Sequence, residues 1–344
     1  MIKLVEGNLL EADAEALVNT VNCVGYMGKG IALQFKQAYP ENFRFYAKAC
    51  RDGAVQPGRM LVCDTGQVVN PKYIINFPTK RHWRANSRLE DIEAGLTALG
   101  DEIRTRSIKS VAVPPLGCGH GGLSWSVVRP LIEATLKTLE DVEILLYEPK
   151  GAPPAREMPV RTERPAMTPA RALLVALMDR YAELEYPRTL LETQKLAYFL
   201  QEAGEPLRLE YEPGHYGPYA TNLNKVLERI EGHFTRGYGD CQSPDAEIEL
   251  LPGAMDEAAS ALAGHGDSQA RLQRVADLIA GFETPYGMEL LATVHWTAKH
   301  CEPPATYATQ SVDLIHGWNE RKRRLFKPDH IATAWERLAE SGWI

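Results

Sequence analysis

The strongest chemical signal in this 344-residue chain comes from two glycine-rich segments. NCVGYMGKGIALQF, residues 22–35, carries Gly25, Gly28 and Gly30 into a helical pattern. PPLGCGHGGLSW, residues 114–125, carries Gly117, Gly119, Gly121 and Gly122. Glycine lets backbone amides turn inward against an anion, and a following helix N-terminus favours a phosphate by roughly 0.3–1 kcal/mol. Either segment alone reads equally well as a tight strand-to-helix turn; together they point to a diphosphate. No GxxxxGK[ST] occurs, and neither segment follows GxGxxG with the acidic residue a nicotinamide cofactor needs, so the usual devices for ATP and NAD are missing. A third segment, TKRHWR at 79–84, interleaves Lys80, Arg81, His82 and Arg84 with Trp83, and Arg88 lies just beyond. Such a pattern suits a single nucleic-acid strand, cations meeting phosphates and the indole stacking on a base. It equally describes a packed tryptophan among solvated bases.

These loops need strands and helices to hold them. Short apolar runs rich in β-branched residues at 2–5, 16–21, 60–63, 73–77, 109–115 and 143–147 read as buried strands. Helical patterns at Gly30–Ala38, Ser87–Arg106 and Ser126–Glu140 alternate with them. Alternation of this kind predicts a mostly parallel α/β sheet between helices, with both glycine segments at the carboxyl ends of strands, where ligands bind. Residues 151–167, with four prolines and no apolar periodicity, read as linker, giving a first domain at 1–152, a linker at 153–167 and a second domain at 168–344. Thr168-Pro169 looks like a helix start. The second domain is mainly α-helical, over 169–185, 189–203, 219–231, 256–263, 268–281, 284–299 and 328–341, with a short strand pair expected near 206–211 and 246–251.

Composition narrows the function classes. The net charge of −7 is unevenly divided: residues 168–344 hold 26 acidic and 17 basic side chains, a balance of −9, and the first 167 hold 19 and 21. Halves of opposite sign suggest different partners. The six cysteines, at 23, 50, 63, 118, 241 and 301, include no pair at metal-ligand spacing, so reduced thiols are expected and neither a metal nor a cofactor is. No apolar run reaches the roughly 18 residues of a membrane span, and the N-terminal stretch lacks a signal peptide's basic start and apolar core; a cytoplasmic location with no membrane contact is expected.

Taken in order, GNLLEADAEALVNTVNCVGYMGKGIALQFKQAYP, INFPTKRHWRANS and VAVPPLGCGHGGLSW resemble the macrodomain family over residues 1 to about 150. They are most similar to its branch of terminal ADP-ribose glycohydrolases and, within it, to antitoxins that remove ADP-ribose from DNA. The resemblance implies that Asn8 and Leu9 grip adenine and that Thr20, Val21 and Asn22 approach the distal ribose. It implies that Gly28, Lys29, Gly30 and Ile31 form one phosphate loop, and Gly117, Cys118, Gly119, His120, Gly121, Gly122 and Leu123 the other. Thr79 and Lys80 fall beside the scissile bond, with Lys80 the catalytic group, and Tyr147 is placed to stack on adenine. Arg81, Trp83 and Arg84 are the candidates for DNA contact.

The implied reaction hydrolyses the N-glycosidic bond between ADP-ribose and thymine in single-stranded DNA, through an oxocarbenium-like state. Lys80 has three possible parts in it: attack as a free amine, positioning of water, or stabilisation of the leaving base. Protein-directed relatives place a catalytic aspartate where this chain has Gly121; its loss implies room for a bulky substrate such as a base within a strand. His120 is the remaining titratable group of that loop, either a proton donor to the leaving base or an imidazole at the pocket rim. A non-catalytic ADP-ribose reader and a hydrolase of ADP-ribosylated proteins are the alternatives. The second domain carries no catalytic constellation. LETQKLAYFLQEAG, residues 191–204, and the aromatic turn at Tyr216–Tyr219 loosely resemble a helical antitoxin domain. That likeness implies binding to a DarT-like toxin protein, with the acidic balance filling a groove the toxin uses for DNA.

Overall fold

A computed structural model describes residues 1–149, 158–182, 188–239 and 247–344. The chain divides into two compact units, Met1–Glu163 and Arg164–Ile344. In the first, a six-stranded sheet has β1 (Ile2–Val5), β6 (Glu143–Tyr147), β5 (Ser110–Val113), β2 (Ala16–Asn22), β4 (Tyr73–Lys80) and β3 (Leu61–Asp64) side by side in that order. All neighbours are parallel except the last pair. Helices α1 (Gly30–Ala38), α2 (Pro40–Arg51), α3 (Leu89–Thr105) and α4 (Trp125–Leu136) cover it. This is the mostly parallel α/β sheet expected from the strand–helix alternation, in the macrodomain architecture that the resemblance implies.

The hydrophobic effect fixes the register. Val18, Ile75, Val111 and Ile144 point into a core lined by Ile92, Leu96, Leu99, Ile103, Val128 and Ile132 of α3 and α4. Alternate strand residues such as Leu17, Ile74 and Ala112 face a second cluster with Phe35, Ala38 and Met158. Apolar side chains on both faces explain why these strands read as continuous apolar runs. Strand β4 continues three residues past the predicted end at 77. Its outer neighbour β3 stops opposite Asn76, so Pro78 lies where that edge has no ladder partner to lose. The extension carries Thr79 and Lys80 beyond the core. Helix α2 escaped the periodicity reading because only Asn42 and Tyr46 are buried along it. Its packing is part apolar, with Phe43, Tyr46, Ala49 and Cys50 against Val21, Met27 and Val55, and part polar: Asn42 Nδ2 donates to Asn76 Oδ1 (3.1 Å), Asn76 Nδ2 returns a bond to Asn42 Oδ1 (2.7 Å), and Asn19 Nδ2 joins them (3.0 Å). Buried amides satisfied in this way lock α2 to β2 and β4.

The second unit is mainly helical: α5 (Pro169–Ala182), α6 (Leu190–Glu202), α7 (Leu223–Ile230), α8 (Ala254–Leu262), α9 (Gly266–Ile279), α10 (Pro285–Lys299), α11 (Ala308–Trp318), α12 (Glu320–Leu325) and α13 (Pro328–Glu340). Thr189 and Glu192 close a capping box at the start of α6. The expected pairing of 206–211 with 246–251 is corrected. Instead β7 (Tyr211–Gly214) folds back on β8 (Gly217–Ala220), and β10 (Glu249–Leu250) pairs with β9 (Thr235–Arg236). Gly217, at φ +87°, allows the tight reversal that keeps the first hairpin local. Helix α7 therefore begins at Leu223 rather than 219. Helices α11 and α12 were not anticipated. No helix among the described residues is long and apolar enough to cross a membrane.

Candidate active site

Five parallel strands run in one direction, so their carboxyl ends share one edge of the sheet. Every candidate residue of the first unit sits on that edge. Asn8 and Leu9 follow β1, Asn22 ends β2 and the first glycine loop follows it. Lys80 ends β4, the second glycine loop follows β5, and Tyr147 ends β6. Topology alone thus gathers segments up to 139 residues apart in the chain.

The first loop is held by Asn22. Its Nδ2 donates to Tyr26 O (2.5 Å), and its Oδ1 accepts from Val24 N (3.0 Å) and from the Tyr46 hydroxyl (3.1 Å). The amide expected to orient a ribose is thus engaged in shaping the loop. Gly30, at φ +57°, opens α1, whose first turn has neither a side-chain cap nor an acidic residue. That leaves a positive helix end facing the edge. Gly28 has a different reason to lack a side chain: a Cβ there would lie 2.4–2.6 Å from the Tyr26 ring.

In the second loop the amides of Cys118, Gly122 and Leu123 bond to the carbonyls of Pro115, Gly119 and Gly117. Those of Gly119, His120 and Gly121 donate to no backbone carbonyl among the described residues, and three such amides in a turn suit an anion. The two loops meet at Gly30, where a Cβ would touch the His120 ring at 3.4 Å. Gly121 corrects the sequence reading. A Cβ there would lie 2.3 Å from both Gly117 O and Ser87 Oγ, so the missing side chain leaves no room for substrate; the protein's own backbone fills that space. Ser87 is buried, its N–H donates to Gly121 O (2.9 Å), and its hydroxyl has no hydrogen-bond partner among the described residues. Neither Ser87 nor Tyr26 stood out in the sequence, although Tyr26 lies inside the first glycine segment.

Lys80 reaches across to this loop. Its Nζ donates to His120 O (2.7 Å) and to Trp83 O (3.1 Å). Burial holds its amine below the ordinary lysine range, and it takes part in no ion pair among the described residues. His120 is likewise held below the usual imidazole range, first by burial and then by the positive charges of Lys29 and Lys80. It is therefore a poor proton donor at neutral pH. Burial pushes the Cys118 thiol up to about 11, which removes it as a nucleophile. Thr79 is buried, its hydroxyl 3.5 Å from Val21 O.

Of the residues proposed for DNA, Arg81 is tied to buried Asp91 through Nε (3.1 Å) and Nη2 (3.0 Å). Arg84 lies over the Trp83 ring at 4.5 Å, His82 stacks on that ring at 5.5 Å, and Tyr26 approaches it at 5.4 Å. Trp83 is thus an exposed but already contacted platform. At the opposite end, Asn8 caps a short turn at Leu9–Glu11, accepting from Leu10 N (3.0 Å), and its Nδ2 is buried without a partner. Thr20 is half-buried beside Val21 in β2. Tyr147 differs from expectation: its ring is packed with Leu9, Phe35 and Met158 in the core, not held open for stacking.

Comparison with known proteins agrees with this architecture. The Macro domain family model matches residues 18–132. A protein of Thermus aquaticus named DNA ADP-ribosyl glycohydrolase is 48% identical over 342 residues, 99% of this chain and 94% of its own. A Thermosipho africanus protein named as a fusion of DNA ADP-ribosyl transferase and DNA ADP-ribosyl glycohydrolase is 34% identical over 43% of this chain and 42% of its own. The solved macrodomain of Mycobacterium tuberculosis DarG is 58% identical, spans 44% of this chain and 99% of its own, and superposes with a TM-score of 0.43. By a near full-length likeness at 48% identity, this chain belongs to the DNA ADP-ribosyl glycohydrolase family, macrodomain enzymes that hydrolyse ADP-ribose linkages.

Proposed function

We propose that the first unit hydrolyses the bond between ADP-ribose and thymine in single-stranded DNA, with Lys80 as the catalytic group. One observation carries this reading: a partly buried amine, held by two carbonyls and by no carboxylate among the described residues, stands where the two glycine loops meet. The uncapped first turn of α1 and the amides of 119–121 would hold the diphosphate, with Gly30, Ile31 and Lys29 from one loop and Gly117–Leu123 from the other. Asn8 and Leu9 would meet the adenine, the unpartnered Asn8 Nδ2 being a donor in want of an acceptor. The distal ribose would then lie beside Thr20, Val21 and Thr79, with its anomeric carbon toward Lys80.

As the bond to the base nitrogen breaks, positive charge develops on the sugar. A neutral amine neither repels that charge nor needs to be stripped of water, and it is competent to attack the carbon or to draw a proton from an attacking water. Water supplies hydroxide to the anomeric carbon, and the base leaves with the proton. The test is an ADP-ribosylated thymidine oligonucleotide incubated with wild type and with Lys80→Ala. Release of unmodified oligonucleotide by the first and not the second is expected. Equal release would remove Lys80 from the chemistry, and none from either would favour a reader of ADP-ribose.

For the second unit we propose neutralisation of a DarT-like toxin. Support comes from the −9 balance of residues 168–344 and from the Thermosipho relative, whose name joins a transferase to a glycohydrolase in one chain. The hairpin tip at Tyr216 is a rigid, exposed aromatic, clasped by Trp318 Nε1 donating to Gly214 O (3.0 Å) and by Arg321 over its ring at 4.6 Å. Such preordered aromatics suit contact hot spots. Binding should weaken steeply with salt if acidic side chains take the place of DNA; affinity independent of ionic strength would rule out charge mimicry.

A further inference from the structure

Beside Lys80 the structure builds an aromatic surface from two separate loops. Tyr26 comes from the first glycine loop and Trp83 from the segment after β4, and their rings approach at 5.4 Å with 44° between planes. The surface is anchored on both sides. Asn22 grips Tyr26 through its carbonyl and Gly28 lies bare beneath the ring, so the tyrosine has a shaped seat. Trp83 gives its own carbonyl to Lys80 Nζ, which ties the segment carrying the indole to the amine. Arg84 covers part of the indole and joins no carboxylate among the described residues, unlike Arg81, which Asp91 neutralises.

We infer that Tyr26 and Trp83 together form the subsite that receives the modified base and the adjoining nucleotide of a single strand, making Tyr26 a specificity-determining residue for DNA. The inference rests on the function proposed above. A leaving base attached to a carbon within reach of Lys80 has this surface as its neighbour, and stacking on aromatics is tolerant of base identity. Arg84 would exchange the indole for a backbone phosphate as the strand arrives, keeping its charge satisfied in both states. ADP-ribose alone ends at its distal ribose and gains nothing from the pair.

Two readouts separate this inference from the activity it rests on. Fluorescence anisotropy with an unmodified oligothymidine probes the subsite alone, and single-turnover release from the ADP-ribosylated oligonucleotide probes the reaction. Tyr26→Leu and Trp83→Leu should each weaken oligothymidine binding and raise KM about tenfold or more, from the stacking lost. In Tyr26→Leu the loss should fall on KM more than on kcat. Tyr26→Phe should behave as wild type, and affinity for free ADP-ribose, measured by calorimetry, should not change in any of them. Loss of ADP-ribose affinity in parallel with DNA would show that Tyr26 merely holds the loop, and unchanged oligothymidine binding would show that the rings meet no base; either overturns the inference. A wild type that binds oligothymidine through these rings yet releases nothing would defeat the proposed reaction and leave the subsite standing.

Discussion

Gly121→Ala is the most demanding test of how Lys80 is held. The new Cβ would meet Gly117 O and Ser87 Oγ at 2.3 Å and Gly117 C at 2.9 Å, against ordinary contacts of 3.4–4 Å. The serine hydroxyl can rotate away, but the carbonyl is backbone and the loop must give by about 1 Å, an overpacking cost of about 1–3 kcal/mol. His120 O belongs to the neighbouring residue, and its bond from Lys80 Nζ is 2.7 Å. Moving it by that amount stretches the bond to about 3.7 Å, beyond hydrogen-bonding range. A displacement of about 1 Å at a reacting group costs on the order of 100-fold in rate. Single-turnover release from ADP-ribosylated oligonucleotide should therefore fall by about that factor, while thermal unfolding shows the variant still folded. Ser87→Gly combined with Gly121→Ala removes one of the two clashes and should recover only part of the loss. A Gly121→Ala enzyme with the wild-type rate would refute the idea that this carbonyl positions the amine.

Other outcomes follow from the buried charges. Lys80 lies below the ordinary lysine range because of burial, so if the neutral amine is the working form, the rate should rise with pH and level off below 10.5; a rate that falls over that interval would assign the work to the ammonium. In the second unit, burial pushes Lys195 down to about 7, and Pro218 O accepts from its Nζ at 2.8 Å. Between about 7 and 10.5 the unfolded chain binds this proton and the folded one does not, so stability of that unit should increase as pH rises through the interval. Lys195→Met should flatten the dependence in denaturant titrations, and an unchanged slope would assign it to other groups.

The sheet was legible because both of its faces are buried, which leaves runs such as YIINF and ALVNTV unmistakable. The glycine loops were legible for a related reason: their positions after strands carry topological meaning. Helix α2 was not, since its inner face mixes Asn42 with Phe43, Tyr46, Ala49 and Cys50 and so carries only a weak apolar signal. Residue 121 illustrates a deeper limit. A missing side chain looks like empty space in a sequence, and only the fold shows that Gly117 O and Ser87 Oγ occupy it. Tyr147 fails in the opposite way: an aromatic at a strand end invites a stacking role, yet Leu9, Phe35 and Met158, the last from a stretch with no apolar pattern, pack it into the core.

The absence of a carboxylate at 121 can then be weighed as chemistry rather than as loss. Lys72 in the same unit meets Glu15 at 2.8 Å and is held above the ordinary lysine range by that contact. Lys80 meets two carbonyls and is held below it. Carbonyl oxygens also favour the ammonium, but as dipoles they do so less than the full charge of a carboxylate would, and burial is what draws the amine down. The two carbonyl bonds aim the nitrogen in either protonation state, and its partial removal from water tilts the balance toward the amine. An aspartate introduced at 121 would reverse this balance by favouring the ammonium, and its Cβ would displace the very loop that orients the nitrogen. A lysine held by carbonyls and not by a carboxylate is on this account the arrangement that best suits the attack by a free amine proposed for Lys80.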